Sequence, residues 1–495
     1  MKTKSITKKS ERWRYLWIML ALVVFGFASC GDDTVEIPSS AVVSDPFDPS
    51  KPVVISEFLP TAGGMGQRLM IYGSNFGNDA SIVQVFIGGK KAVIISVQNE
   101  SIYCIVPRQA FGGDIEVRVG ADSPVVGHAD EIFDYQRKMV VSTLAGYKND
   151  RDDQGWKDGS FKKNTPNSER ASGFDEGSWL KFDPLSRKHM YMVFDNRSGL
   201  YHVNFEDSTI SRVSREDFSR PRGIDFSTDA QYMLVAEDRG GESDRNVIAL
   251  PRSSDFKSTE VLTRFKQCNT VAVHPENGEM YYNSYNKGQF YRYDLMKWIT
   301  EGSATQNTTP LFFVHDPEWE YRIQIHPTGN YCYIVVVNRH YILRCDYNWS
   351  KKLFNQPYIV AGGLKASGWA DGVGTSARFD TPYQGVFVKN SEYEGQADEY
   401  DFYIADRFTH SIRVLSPDGA VTTFAGRGSS SINADPWGYV DGDLREEARF
   451  DRPTGIEYDE VEKAFYVGDG SNKRIRKIAL EEMDEEAAPV EESEE

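Results

Sequence analysis

What the chain lacks narrows the field first. It has no His-x-x-x-His pair and no G-x-S-x-G elbow, so neither a metalloprotease centre nor a serine nucleophile is nominated. Its eight histidines are scattered, and His274 and His326 each precede a proline at matching positions, as turn residues do. Cysteine is scarce, with five residues and no pair at the spacing of a zinc site. Long helical periodicity is missing; short alternating runs closed by Gly, Asn and Asp take its place. The apolar run from Tyr15 to Ala28 falls short of the ~20 residues of a comfortable membrane-spanning helix. Net positive charge is lacking too. The formal charge is −17, and phosphate recognition needs a basic footprint, which excludes nucleic acid as a partner.

Several segments stand outside any fold argument. Lys2, Lys4, Lys8, Lys9, Arg12 and Arg14 precede the apolar run, which ends at Phe27-Ala28-Ser29-Cys30. Small residues before a cysteine resemble the lipobox of bacterial lipoproteins, which implies removal of residues 1–29 and lipidation of Cys30. The alternative is an uncleaved anchor helix. Gly31-Asp32-Asp33 and Glu36 resemble the surface-export signal of Bacteroidota lipoproteins. That resemblance implies attachment to the outer membrane through lipid, with the body facing the cell exterior. Residues 30–50, rich in proline and serine, read as a tether. Glu481 to Glu495 carries nine acids and no base and reads as a solvated disordered tail.

Between these ends the chain reads as all-β, rich in Tyr, Phe and Gly. Residues 51–136 hold about seven strand candidates, suited to a small sandwich. Among them are Arg68-Leu69-Met70-Ile71-Tyr72, then Gly73-Ser74-Asn75-Phe76-Gly77, then Val83-Gln84-Val85-Phe86-Ile87-Gly88-Gly89. Ile115-Glu116-Val117-Arg118-Val119 and a closing Phe133-Asp134-Tyr135 follow. This order resembles the IPT/TIG family, which implies an immunoglobulin-like sandwich serving as a spacer.

Residues 137–480 contain a repeat. Gly155-Trp156-Lys157-Asp158-Gly159, Gly368-Trp369-Ala370-Asp371-Gly372 and Gly438-Tyr439-Val440-Asp441-Gly442 share one pattern. Each follows a strand ending in Ala-Gly and precedes a Phe-Asp pair: Phe174-Asp175, Phe379-Asp380 and Phe450-Asp451. Strands such as Asp401-Phe402-Tyr403-Ile404-Ala405-Asp406 with Ser411-Ile412-Arg413-Val414 come next. Degenerate middle units start near Pro221, Asn269 and Tyr321. The pattern resembles NHL repeats, which implies a β-propeller. The last unit has only three strands, whereas Val140 to Ala145 has no unit of its own. Its use as the outer strand of the final blade gives a six-bladed propeller and removes an exposed edge; five and seven blades are the alternatives.

Candidate binding residues follow from that architecture. Trp156, Trp369 and Tyr439 read as anchors of loops between blades, with stacking on a sugar ring as the alternative. Trp319 lies between Glu318 and Glu320, which argues against burial, and is the preferred ligand contact. Tyr321 and Tyr383 stand at matching positions before Ile323 and Gly385, and Trp437 lies in an inter-blade loop. Asp238, Asp406 and Asp469 recur after a blade strand, where acids cap turns; calcium binding or acid–base work is the alternative. Cys332 and Cys345 face each other if Asn338-Arg339 is a hairpin turn, as a disulfide or as two buried thiols. No cofactor or metal is implied. The whole resembles accessory glycan-binding proteins that work beside outer-membrane importers, which implies polysaccharide or oligosaccharide as ligand. A propeller enzyme (a polysaccharide lyase or hydrolase) and a protein-interaction scaffold are the alternatives.

Overall fold

A computed structural model describes residues 45–148, 155–161, 166–214, 218–241, 244–264, 267–284, 287–302, 307–316, 320–364 and 366–482. Residues 1–44, with Cys30, and residues 483–495 lie outside it, as does Trp319. The chain divides into two compact units, one up to Tyr135 and one from Gln136 onward.

The first unit is a sandwich of two antiparallel sheets. One sheet runs Val54–Leu59, Arg68–Ser74, Ser101–Ile105 and Val93–Gln98; the other runs Lys90–Lys91, Val83–Ile87, Ile115–Val119 and Val125–His128. Alternation puts Leu69, Ile71, Val85, Ile87, Ile102, Cys104, Val117 and Val119 into one buried core. Phe47 already packs against that core. Asn75 adopts a left-handed backbone, φ 67°, which asparagine tolerates better than most residues. Its side-chain amide then donates to the carbonyls of Asp48 and Lys51, tying the incoming chain down.

The second unit is a six-bladed propeller. Its inner strands are Ser178–Asp183, Pro221–Phe226, Val271–Val273, Tyr321–Ile325, Pro382–Lys389 and Pro453–Asp459, each leading an antiparallel sheet. Each inner strand adjoins the next, and the last adjoins the first. The sixth blade closes as the strand count requires. Met139–Ala145 pairs antiparallel with Arg474–Leu480, Val141 lying opposite Ile478. Hydrogen bonding continues from Glu481 N–H to the Lys138 carbonyl, 3.0 Å.

An inner strand leaves one edge of N–H and C=O groups without a ladder partner. Polar side chains at one matched position of all six blades surround that edge: Ser178, Arg222, Thr270, Arg322, Gln384 and Thr454, all buried. Thr454 accepts from Ser178 N–H (3.0 Å), Ser178 from Gly455 N–H (3.1 Å), and Thr270 from Ile323 N–H (3.0 Å). Gln384 reaches further, accepting from Leu180 N–H (3.0 Å) and Ile456 N–H (3.2 Å) of two other blades. The ring is thus joined by hydrogen bonds around its axis, in addition to apolar packing between blades.

The repeated acids also find a structural role. Asp406 and Asp469 each accept a backbone N–H, from Asp380 (2.9 Å) and Asp451 (2.7 Å). Their other oxygens face the fully buried guanidiniums of Arg413 (3.3 Å) and Arg476 (2.7 Å), which also hold Asp371 and Asp441 of the glycine-flanked loops. Cys332 and Cys345 do face each other, both thiols buried and free, but the turn is longer than two residues. Val336 pairs with Tyr341 around a four-residue loop whose centre is the same Asn338-Arg339, so the register is unchanged.

Candidate functional site

The inner strands begin on one face of the ring, called upper here. Loops between blades and the turns joining second to third strands share that face. There a pocket of about 250 Å³ opens, lined by Glu176, Asp195, Arg220, Arg222, Glu320, Asn338, Tyr383 and Arg407. Gly177, at φ 70°, has no room for a side chain, because a Cβ there would meet the Asp195 carboxylate at 2.3 Å.

Charge organises this mouth. Arg222 donates to Asp195 (2.6 Å), Asp238 (2.7 Å) and Glu320 (3.2 Å). Arg322 bonds Glu320 (2.8 Å) and lies over the Tyr383 ring, 4.2 Å from its centroid. Tyr383 donates its hydroxyl to Asp195, 2.6 Å away. Glu176 receives Arg452 (2.9 Å), the Ser471 hydroxyl (2.7 Å) and Arg407. Burial raises the Asp195 carboxyl above the usual range, an effect its arginines only partly offset. Burial acts on Glu320 in the same direction, but Arg322 and Arg222 outweigh it and hold that carboxyl low. Oδ1 of Asp195 is buried without a hydrogen-bond partner among the described residues.

Outside the pocket the same charges lead to exposed aromatics. Phe408 is 42% exposed and lies beneath Arg407 (4.9 Å) and Arg452 (5.6 Å). His410 accepts from Arg452 N–H and carries Trp437 on its ring at 5.6 Å; Trp437 is 47% exposed. Phe408 and Trp437 thus flank one chain of contacts that ends at Glu176 in the mouth. An exposed aromatic face offers stacking area, and the arginine–carboxylate border offers hydrogen bonds of both polarities.

The sequence-based candidates separate on this geometry. Trp437 is on the upper face and exposed. Tyr383 lines the pocket with its ring buried under Arg322, and its hydroxyl joins the polar network. Tyr321 is a correction: it is wholly buried, donates to the Gly288 carbonyl (3.3 Å) and stacks near Phe290, so no ligand reaches it. An acid flanking Trp319 does not stay at the surface either: Glu320 is buried, and Arg222 and Arg322 make it tolerable in the interior. Trp319 and Cys30 lie outside the described residues. Trp156 does anchor its loop, its ring 3.9 Å from that of Tyr201. Trp369 donates to the Thr423 hydroxyl (2.9 Å) under Arg427. Arg222 and Arg322 gained no weight as site residues in the sequence, where the available signal was the polar residue recurring just before each inner-strand apolar run; Phe408 stands there among several aromatics outside the repeat, with nothing to set it apart. Among the described residues no cluster of three or more His, Cys, Asp or Glu side chains has the arrangement of a metal site.

Comparisons with known proteins agree with this architecture. The IPT/TIG domain family matches residues 52–133. No curated protein matches the chain. A structure described as an auxiliary nutrient binding protein from Bacteroides thetaiotaomicron VPI-5482 is 45% identical, covering 88% of this chain and 100% of its own, with a TM-score of 0.81. One described as an auxiliary nutrient binding protein from Bacteroides ovatus ATCC 8483 is 38% identical over 88% of this chain and 100% of its own, TM-score 0.65. A further Bacteroides thetaiotaomicron structure, described as a putative phosphatase, is 42% identical over 89% of this chain and 99% of its own, TM-score 0.81. At such identity over nearly the whole of each relative, the chain belongs to one family with these Bacteroides proteins.

Proposed function

We propose that the protein is a cell-surface, lipid-anchored accessory that captures polysaccharide or oligosaccharide for uptake across the outer membrane. The observation that carries this reading is the pairing of exposed Phe408 and Trp437 with a charged, hydrogen-bonding mouth on one face of the propeller. Two relatives described as auxiliary nutrient binding proteins support a nutrient as ligand. In this reading Cys30 carries the lipid, residues 45–135 act as a spacer, and NHL-type blades present the upper face to glycan. Sugar rings stack on Phe408 and Trp437, while the border arginines and carboxylates bind hydroxyls. Each contact is weak, and several copies engaging one polymer raise the overall affinity. An importer complex in the outer membrane is the partner that receives the captured chain.

The test is retardation of the protein, purified in a non-glycosidic detergent, through native gels cast with a panel of polysaccharides. Each mixture is also assayed for reducing ends and unsaturated sugars. Retardation without product is expected, and the Phe408→Ala/Trp437→Ala double variant should lose it. Retained retardation in that variant places the site elsewhere, and product formation replaces capture with catalysis.

A further inference from the structure

The two ends of the ring differ in charge. The lower end opens as a chamber of about 430 Å³ walled by all six blades, and there Lys181 and Arg187 match Asp225 and Glu457 in number. At the upper mouth the guanidiniums of Arg220, Arg222, Arg322, Arg407 and Arg452 outnumber the carboxylates of Glu176, Asp195, Asp238 and Glu320. Burial separates the two signs further. The acid side chains are at most 22% exposed, whereas Arg220 is 49% and Arg452 44% exposed. The chain as a whole carries −17, so this cationic rim is a local feature.

The backbone holds these arginines at the mouth. Gly177, Arg220, Thr381 and Arg452 are equivalent residues of the first, second, fifth and sixth blades. The carbonyl of each accepts from an N–H just past the end of a second strand, those of Asp195 (3.2 Å), Asp238 (3.1 Å), Arg407 (3.4 Å) and Gly470 (3.3 Å). All four have a left-handed backbone, with φ of 50° at Arg220 and 57° at Arg452. Long side chains are uncommon in that conformation, and such strain gathers at ligand sites. The first blade lies between the sixth and the second, so Gly177, without a side chain, stands between the two arginines in the ring.

Both arginines keep donors in hand. Among the described residues Arg220 pairs only with Asp238, through Nη1 (3.1 Å), and Arg452 only with Glu176, again through Nη1 (2.9 Å). Arg407 shares Glu176 with Arg452, and both guanidiniums lie over the Phe408 ring. Two guanidiniums on one carboxylate leave positive charge beside an exposed aromatic face.

We infer that the glycan taken by the upper face is acidic, its uronate carboxylates bound by Arg220, Arg407 and Arg452 while a sugar ring lies on Phe408. A planar carboxylate accepts two parallel N–H bonds from one guanidinium, which a single hydroxyl does not. A sulfate ester carries charge but lacks that planar match. The inference rests on the capture reading and adds the class of substrate.

The experiment is calorimetric titration and native-gel retardation of the full chain in non-glycosidic detergent. The probes are polygalacturonate, alginate and hyaluronan, each beside its carboxyl-reduced form, in which the carboxylates have become primary alcohols on the same backbone. Dextran sulfate is the sulfated control. At least one uronate polymer should bind, about tenfold or more tightly than its reduced form, the effect of one charge-assisted hydrogen bond. Raising NaCl from about 0.1 to about 1 M shortens the screening length from ~10 to ~3 Å and should weaken that binding. The Arg220→Gln/Arg452→Gln variant should lose the preference for the unreduced polymer. The comparison of native and reduced polymers uses the parent protein, so it decides the question even if that variant does not fold. Equal binding of native and reduced polymers, insensitivity to salt, or a preference retained in the folded double variant overturns the acidic class and leaves capture of a neutral glycan standing. Retention of dextran sulfate with no uronate polymer retained overturns it too. Retention of no glycan at all overturns capture itself, and this inference with it.

Discussion

At the scale of single residues, this protein keeps many polar groups in its interior and satisfies most of them by pairing. Arg322, Arg413 and Arg476 are among its largest fully buried side chains. Each is held by carboxylates or by carbonyls of a neighbouring loop, which offsets the cost of taking a guanidinium out of water. His202 shows the opposite device, a group kept neutral. Burial, reinforced by His189 at 3.1 Å, lowers it from the ordinary 6.5 to about 4. Its folded form resists protonation while the unfolded form does not, so the unfolded chain binds more protons between those values. The contribution of His202 is therefore complete above pH 6.5 and lost as pH falls towards 4, by about 2 kcal/mol after allowing for partial exposure. Urea midpoints across that window should fall less steeply in His202→Gln than in the parent. Equal slopes would show that His202 is not the responsible group.

At the scale of elements, the decisive strand is Met139–Ala145. It opens on three apolar residues, Met139-Val140-Val141, of which Val141 is 1% exposed and belongs to the core shared by the fifth and sixth blades. Without it, Arg474–Leu480 presents an open edge and the ring loses its join. Val141→Asp puts an unpaired charge into that core and removes apolar contacts. It should cost about 3 kcal/mol or more and lower the thermal midpoint of the propeller. A loss below about 1 kcal/mol would mean that the ring holds together without this strand. The recurring Gly-Trp/Tyr-x-Asp-Gly loops belong to this scale as well. Asp371 and Asp441 reach Arg413 and Arg476 of the third strands, so the motif joins loop to blade.

At the scale of the whole molecule, two units with separate cores share one chain. The core of the first is assembled from its own two sheets, with Phe47 and Tyr135 packed against it. A fragment of residues 45–135 should therefore unfold cooperatively in urea by circular dichroism, being above the size at which a domain needs metals or disulfides. A broad, non-cooperative transition would show that this unit depends on the remainder of the chain. In the second unit, the ring creates both mouths at once. Neither is present in any one blade, because each takes side chains from most of the circle.

Much of this architecture was legible in the sequence, because periodicity and repetition are properties of the chain itself. Alternating apolar residues set the strands, and co-ordered motifs set the blades. A missing fourth strand at one end and a spare one at the other announced the clasp. Even the Cys332–Cys345 register survived an incorrect loop length, since antiparallel pairing depends only on the centre of the turn. Exposure was not legible in the same way. Tyr321 and Phe408 are both aromatic residues near a strand end, but one is sealed in and the other faces solvent. Glu320 is buried because Arg222, almost a hundred residues earlier in the chain, comes within 3.2 Å. The elements, their order and the closure of the ring rest on local patterning and are therefore written in the chain. Which polar residues pair and which aromatics remain open came only with the folded ring, because each depends on neighbours supplied by other blades.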